Sequence, residues 1–240
     1  MLAEPQLAPP PPPVPPAWSP RATVGIAAAV FVAYLLVQAG VLLLFPAAGP
    51  GSAIFGLAFA TATLASAPVG ILLILSLAGR RPGPSLRATL GLFPPRLPQA
   101  AVAVGLLLLF TSAYDLLARL LHRPAVPAFM IDAYRTARFL PALYLAVVIA
   151  APAFEELLFR GLLLDGLRRS RLGVVGAALL SSLAFALPHL QYDLYDVTAV
   201  FLLGLLFAAV RLRTGSTYLT IGLHALTNLI ATLEVAAALR

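Results

Sequence analysis

Cysteine is absent from this chain, and so is lysine. Without cysteine there is no disulfide framework, no thiolate nucleophile, no Cys-based metal site and no S-acylation site. Charge of either sign is scarce. Only 10% of the 240 residues are charged, against about a quarter in a soluble globular domain, which leaves no room for a sizeable soluble domain. The net charge of +7 rests on sixteen arginines spread through short loops. A nucleic-acid site gathers its cations on one face, so no nucleic-acid partner is expected. What is abundant is apolar surface, 61% of the residues, and its natural partner is membrane lipid. The use of Ala, Pro, Gly and Leu, with arginine in place of lysine, is that of a GC-rich bacterial genome.

Residues 1–20 hold the run Pro9–Pro16, broken only by Val14. Such a segment stays extended and solvated and packs no core, so a disordered tail is expected. It lacks the basic start and apolar stretch of a signal peptide. Beyond it, about 20 apolar residues suffice to cross a ~30 Å hydrocarbon core. That rule divides the chain into seven candidate spans at 22–45, 54–78, 97–121, 140–167, 172–190, 194–210 and 216–239. Gly49-Pro50-Gly51 and Pro82-Gly83-Pro84 mark connecting loops. Each span must be helical, because every backbone polar group in lipid needs a partner within its segment. The expected fold class is therefore all-α, a polytopic transmembrane helix bundle of about seven spans.

With the N-terminus inside, ten arginines fall in inner segments and five in outer ones, Arg160 lying within a span. By the positive-inside rule this favours an inner N-terminus in a bacterial cytoplasmic membrane. The 119–138 connection carries four of the five outer arginines and reads as an interfacial helix.

An ionisable group at membrane depth costs at least a few kcal/mol, so each needs a partner or a function. The fourth span contains Glu155-Glu156-Leu157-Leu158-Phe159-Arg160. At about 100° per residue, Glu156 and Arg160 share a face and can neutralise each other as a brace, while Glu155 points elsewhere. A bland reading has all three fastening helices together, but a brace does not need the second glutamate. The fifth span ends Phe185-Ala186-Leu187-Pro188-His189, with Phe185 and His189 on one face and Pro188 loosening the backbone between. Alone, such a histidine is an ordinary loop or interface residue. The seventh span carries His224 and Asn228 on one face, which could be no more than an interhelical hydrogen-bonding pair. His122 sits at a basic loop edge, and Asp115 and Glu234 lie near span ends within reach of headgroups. None of these three is assigned chemistry.

Taken in order, Glu155-Glu156-x-x-x-Arg160, Phe185-x-x-x-His189 and His224-x-x-x-Asn228 resemble the three signatures of the CPBP family. These are the CAAX-prenyl-protease and bacteriocin-processing intramembrane proteases, also called the Abi family. The resemblance covers roughly residues 140–232; earlier spans match only as generic membrane helices. It implies 140–240 as the catalytic helix bundle and 21–139 as N-terminal helices and loops. It further implies Glu155 and His189 as the pair that activates water, and His224 and Asn228 as the stabilisers of the oxyanion. Glu156, Arg160 and Phe185 are supporting residues. The implied activity is endopeptidase cleavage of a membrane-associated peptide or protein.

These residue types suit that chemistry, since peptide hydrolysis needs a base for water and donors for the developing oxyanion. Glu155, His189 and His224 are also a plausible two-histidine, one-carboxylate set for a divalent metal such as zinc. The same residues serve equally without metal, and members of the family have been described both ways. Neither a His-Glu-x-x-His helix nor a Gly-x-Ser-x-Gly run is present. Tyr195-Asp196 lacks the Gly-x-Gly-Asp partner of an intramembrane aspartyl protease and reads as a cap of the sixth span with Asp193. The readings from other classes are a transporter lined by the charges, and a non-catalytic scaffold or immunity protein. One geometric difficulty stands against the protease. At ~1.5 Å per residue, Glu155 lies ~18 Å from the inner end of its span, His224 ~12 Å and His189 ~25 Å.

Overall fold

The computed structural model describes residues 18–45, 47–80, 83–124 and 126–240, and the Pro-rich run of the expected tail lies outside them. Among the described residues, regular structure is entirely helical. The helices are α1 (Pro20–Leu42), α2 (Phe55–Gly79), the short α3 (Leu86–Leu90), α4 (Leu97–Leu120) and α5 (Ala128–Arg135). They continue with α6 (Leu140–Leu167), α7 (Gly173–Ala186), α8 (Leu194–Thr214) and α9 (Thr217–Ala238).

Local chemistry explains the boundaries. Ser19 accepts from the Ala22 N–H ahead of Pro20, which needs no donor at the first helical position. Asp193 takes the Tyr195 and Asp196 amides at the start of α8. Gly215, at φ +70°, turns the chain out of α8, and Ser216 then caps α9 by accepting from the Leu219 amide.

Six helices, α1, α2, α4, α6, α8 and α9, are long and apolar enough to cross a membrane. The seventh expected span is shorter. Helix α7 runs 14 residues and gives way to a 3₁₀ turn at Leu187–His189, where Pro188 cannot donate to a continuing ladder. Fourteen residues rise only about 21 Å, well short of the hydrocarbon thickness. The 3₁₀ turn at its end carries His189.

The outer faces are those of a protein solvated by lipid. Leu36, Leu72, Leu97 and Leu109 are each more than 60% exposed. The inner faces follow the small-residue rule for membrane helices, in which backbones approach where side chains are small. On α2 the buried side is Gly56, Ala58, Ala60, Ala62, Ser66, Ala67 and Gly70. A Cβ on Gly70 would lie 2.4 Å from the Phe154 ring, and one on Gly56 only 1.8 Å from the Ala133 carbonyl of α5. Those two glycines let α6 and α5 close on α2. Phe154, fully buried, stacks on Tyr34 of α1 at 4.2 Å, and the main core joins α1, α2, α6, α7 and α8 around it.

Helix α6 is not a regular α-helix. Two π-helical stretches, Leu145–Ala150 and Leu157–Leu164, flank the α-helical turns Ala151–Glu156. Wide turns of this kind are rare and concentrate at functional sites.

Candidate active site

The first π stretch has a covalent cause. The Ala151 amide bonds the Ala146 carbonyl, five residues back. The next donor in that ladder would be residue 152, a proline without an N–H, so the Val147 carbonyl loses its helical partner. In a bilayer the lost bond must be made elsewhere. Asn228 of α9 makes it, donating from Nδ2 to the Val147 oxygen at 2.7 Å. One amide hydrogen of Asn228 is thereby fixed, and among the described residues the other is given to no acceptor.

The turns after Pro152 carry the two glutamates, and the structure separates them as the helical wheel predicts. Glu156 Oε1 accepts from Arg160 Nη1 at 2.8 Å, and both side chains are completely buried. Arg160 also donates through Nη2 to the Gly204 carbonyl of α8 and stands 4.2 Å above the Phe185 ring of α7. His224 of α9 completes the network, its Nδ1 lying 3.1 Å from Glu156 Oε1. One ion pair thus ties four helices. Losing a partner of such a buried pair costs about 3–5 kcal/mol, because the other charge is stranded.

Glu155 faces away from this brace. Its side chain is 18% exposed, and its Oε2 is buried without any hydrogen-bond partner. The nearest cationic candidate is His224 Nε2 at 3.8 Å, outside hydrogen-bonding distance. His224 therefore stands between the two glutamates. Its Nδ1 must carry the hydrogen that Glu156 accepts, so its Nε2 donates only when the ring is doubly protonated.

His189 sits on the 3₁₀ turn, with Nδ1 3.0 Å from the Phe185 carbonyl. A carbonyl only accepts, so the hydrogen is on Nδ1 and the Nε2 lone pair is left available. Phe185 is 1% exposed and holds both imidazoles, with ring centroids 5.4 Å from each.

Glu155, His189, His224 and Asn228 all line one cavity of about 780 Å³. The four expected catalytic residues are thus gathered, with Phe185 beside them, while Glu156 and Arg160 lie behind the wall as the brace. The unequal depths counted along the spans do not keep the four apart, since all of them reach one cavity wall. A metal-ligand role for Glu155, His189 and His224 is a poorer fit. Among the described residues no three His, Asp or Glu side chains converge to hold a metal ion, so no step is routed through one.

Several wall residues have no counterpart in the three motifs. Tyr34 and Thr63 come from α1 and α2, and Thr63 is 1% exposed with an unpartnered Oγ1. Tyr192, just beyond His189, sets its ring 5.9 Å from that imidazole. Burial pushes its phenol up from the ordinary tyrosine range, and the charge of Glu155 adds to the shift. Asp196 accepts from the Tyr114 hydroxyl of α4 at 2.6 Å rather than serving only as a cap.

Residues 137–230 match the family model of the Rce1-like type II CAAX prenyl endopeptidases, a stretch that encloses all three motifs. A protein of Escherichia coli described as "Uncharacterized 24.3 kDa protein" is 38% identical over 82 residues, 33% of this chain and 38% of that protein. The chain therefore covers well under half of that relative. No solved structure matches.

Proposed function

We infer that this integral membrane protein, which over residues 137–230 belongs to the Rce1-like type II CAAX prenyl endopeptidases and so to the CPBP intramembrane proteases, hydrolyses a peptide bond of a membrane-associated peptide or protein. The observation that carries the reading is the state of Glu155. Its carboxylate stands outside the Glu156–Arg160 brace, on the wall of a cavity shared with two imidazoles and an amide, the groups that peptide hydrolysis requires.

In the proposed reaction, a water in the cavity gives a proton to Glu155 while hydrogen-bonding to Nε2 of His189. The hydroxide adds to the scissile carbonyl carbon, and the oxygen charge that develops is met by the free N–H of Asn228 and by Nε2–H of the protonated His224. Collapse breaks the C–N bond, and the proton on Glu155 passes to the departing amine. Residues 140–240 act as the catalytic bundle. Residues 21–139 close its flank and contribute Tyr34 and Thr63 to the wall. The setting we propose is a bacterial cytoplasmic membrane with the N-terminus inside, as the arginine distribution suggests.

The test is a comparison of new peptide termini in membranes carrying the wild-type chain and those carrying Glu155→Gln at equal abundance. Termini present only with the wild type support the endopeptidase. Identical sets from both membranes, across the substrates expressed, would leave the cavity without this function.

A further inference from the structure

The cavity continues from Glu155 toward the end of the bundle where α4 and α9 finish and α8 begins. There its wall includes Asp115 from α4, Asp196 from α8 and Glu234 from α9. In sequence these carboxylates are more than 35 residues apart and share no motif; the fold brings them to one cavity. With Glu155 they place four carboxyl groups on its surface, whereas no arginine is among the described lining residues. The chain as a whole carries +7, so this interior has the sign opposite to that of the protein. Asp115 and Glu234 make no ion pair within 4 Å among the described residues. Glu234 feels the like charge of Asp115 across the wall and the opposite charge of Arg119 from outside it, and Arg123 is engaged by Asp193.

Two further polar atoms of the wall, Oε2 of Glu155 and Oγ1 of Thr63, are buried and unpartnered. They suit a polar occupant in a space whose wall is otherwise largely apolar and aromatic, with His189, His224 and Asn228 beside Glu155. Asp115 and Glu234 are half-buried, so their charge is felt more strongly than on an open surface and is still reached by salt. Such walls repel an anionic segment, including a chain end bearing its free carboxylate, and attract a segment bearing cations.

Resting on the endopeptidase reading of the same cavity, we propose that it selects a cationic peptide segment: the substrate carries Arg or Lys beside the scissile bond and enters between Asp115 and Glu234.

The experiment reads binding rather than turnover. The full chain carrying Glu155→Gln is placed in phosphatidylcholine nanodiscs. Two dansylated peptide amides of equal length and equal apolar content, one with two arginines and one with two glutamates, are titrated against it and against empty nanodiscs. The arginine peptide should bind about 10-fold more tightly than the glutamate peptide, and added salt should erode the difference. In Asp115→Asn/Glu234→Gln on the same background the preference should fall to less than about 2-fold. Equal binding of the two peptides, or a preference indifferent to salt, overturns the proposal. So does a preference that survives in a double variant eluting as a monodisperse protein. The salt series on the chain retaining both carboxylates decides the matter if the double variant does not fold. Because no cleavage is measured, a wild-type chain that cuts nothing removes the endopeptidase and leaves this charge preference to stand or fall separately.

Discussion

Two polar regions of this bundle are built on opposite rules. Where the turn after α3 meets the turn between α8 and α9, the polar groups find one another. Arg211 donates through Nε to Thr217, and Thr217 donates from its hydroxyl and amide to the carbonyls of Leu90 and Gly91. Ser216 gives its hydroxyl to the Phe93 carbonyl, and Asp165 lies 3.9 Å from the Arg211 guanidinium. On the cavity wall, Glu155 and Thr63 instead keep buried oxygens with no partner. Burying a polar group without a hydrogen bond is costly, so the first region is what a protein does for stability. The second is tolerated where stability is not the purpose. The two glutamates at the boundary differ in one respect: Glu156 holds the buried Arg160 and His224 through Oε1, whereas Glu155 has no arginine partner, and each keeps an Oε2 without a hydrogen bond.

That contrast can be broken by mutation. The largest effect expected is that of Glu155→Gln, which keeps the shape of the side chain and removes its basicity. Cleavage should fall by about 10²–10⁴-fold, with the melting temperature in micelles nearly unchanged. Glu156→Gln should do the reverse, lowering stability by about 3–5 kcal/mol by stranding Arg160, read from thermal unfolding of the purified chain. Asn228→Ala removes a donor and reopens the Val147 carbonyl. A loss of about 10²-fold in kcat with a smaller change in KM is expected, and steady-state kinetics on any peptide the wild type cleaves would show it. Pro152→Ala restores the missing helical donor, which then competes with Asn228 for α6. A roughly 10-fold loss in kcat from misplacement of the amide follows, with helix content by circular dichroism preserved. The smallest effect belongs to the fully bonded region at the turn between α8 and α9. Thr217→Val should cost about 1–3 kcal/mol of stability, while cleavage per folded molecule stays at the wild-type rate.

Much of this arrangement was legible in the residues. Apolar run length located every long helix, because the need to satisfy backbone groups in lipid leaves few alternatives. Helical spacing separated Glu156, four residues from Arg160, from Glu155, and the three spaced motifs named the four residues that share the cavity. Other features were not legible, for physical reasons. Hydropathy reports whether a segment prefers lipid but not whether its hydrogen-bond ladder is continuous, so the shortness of α7 and its 3₁₀ ending were not readable. The same blindness hid the π turns of α6. Pro152 carried a readable warning for the first stretch, whereas Leu157–Leu164 has no proline, and its lone Gly161 does not distinguish it from α-helix. Asp115 and Glu234 looked like headgroup-facing residues at span ends because their convergence on one cavity depends on how α4 and α9 pack.

The central claim is that neighbouring glutamates divide structure from chemistry, and one paired measurement bears on it most directly. Glu155→Gln and Glu156→Gln are purified from the same membranes, and each is assayed for thermal stability and for cleavage per folded molecule. The account predicts a stable, inactive Glu155→Gln and a strongly destabilised Glu156→Gln. A Glu155→Gln chain that still cleaves, or that loses as much stability as its neighbour, would contradict it.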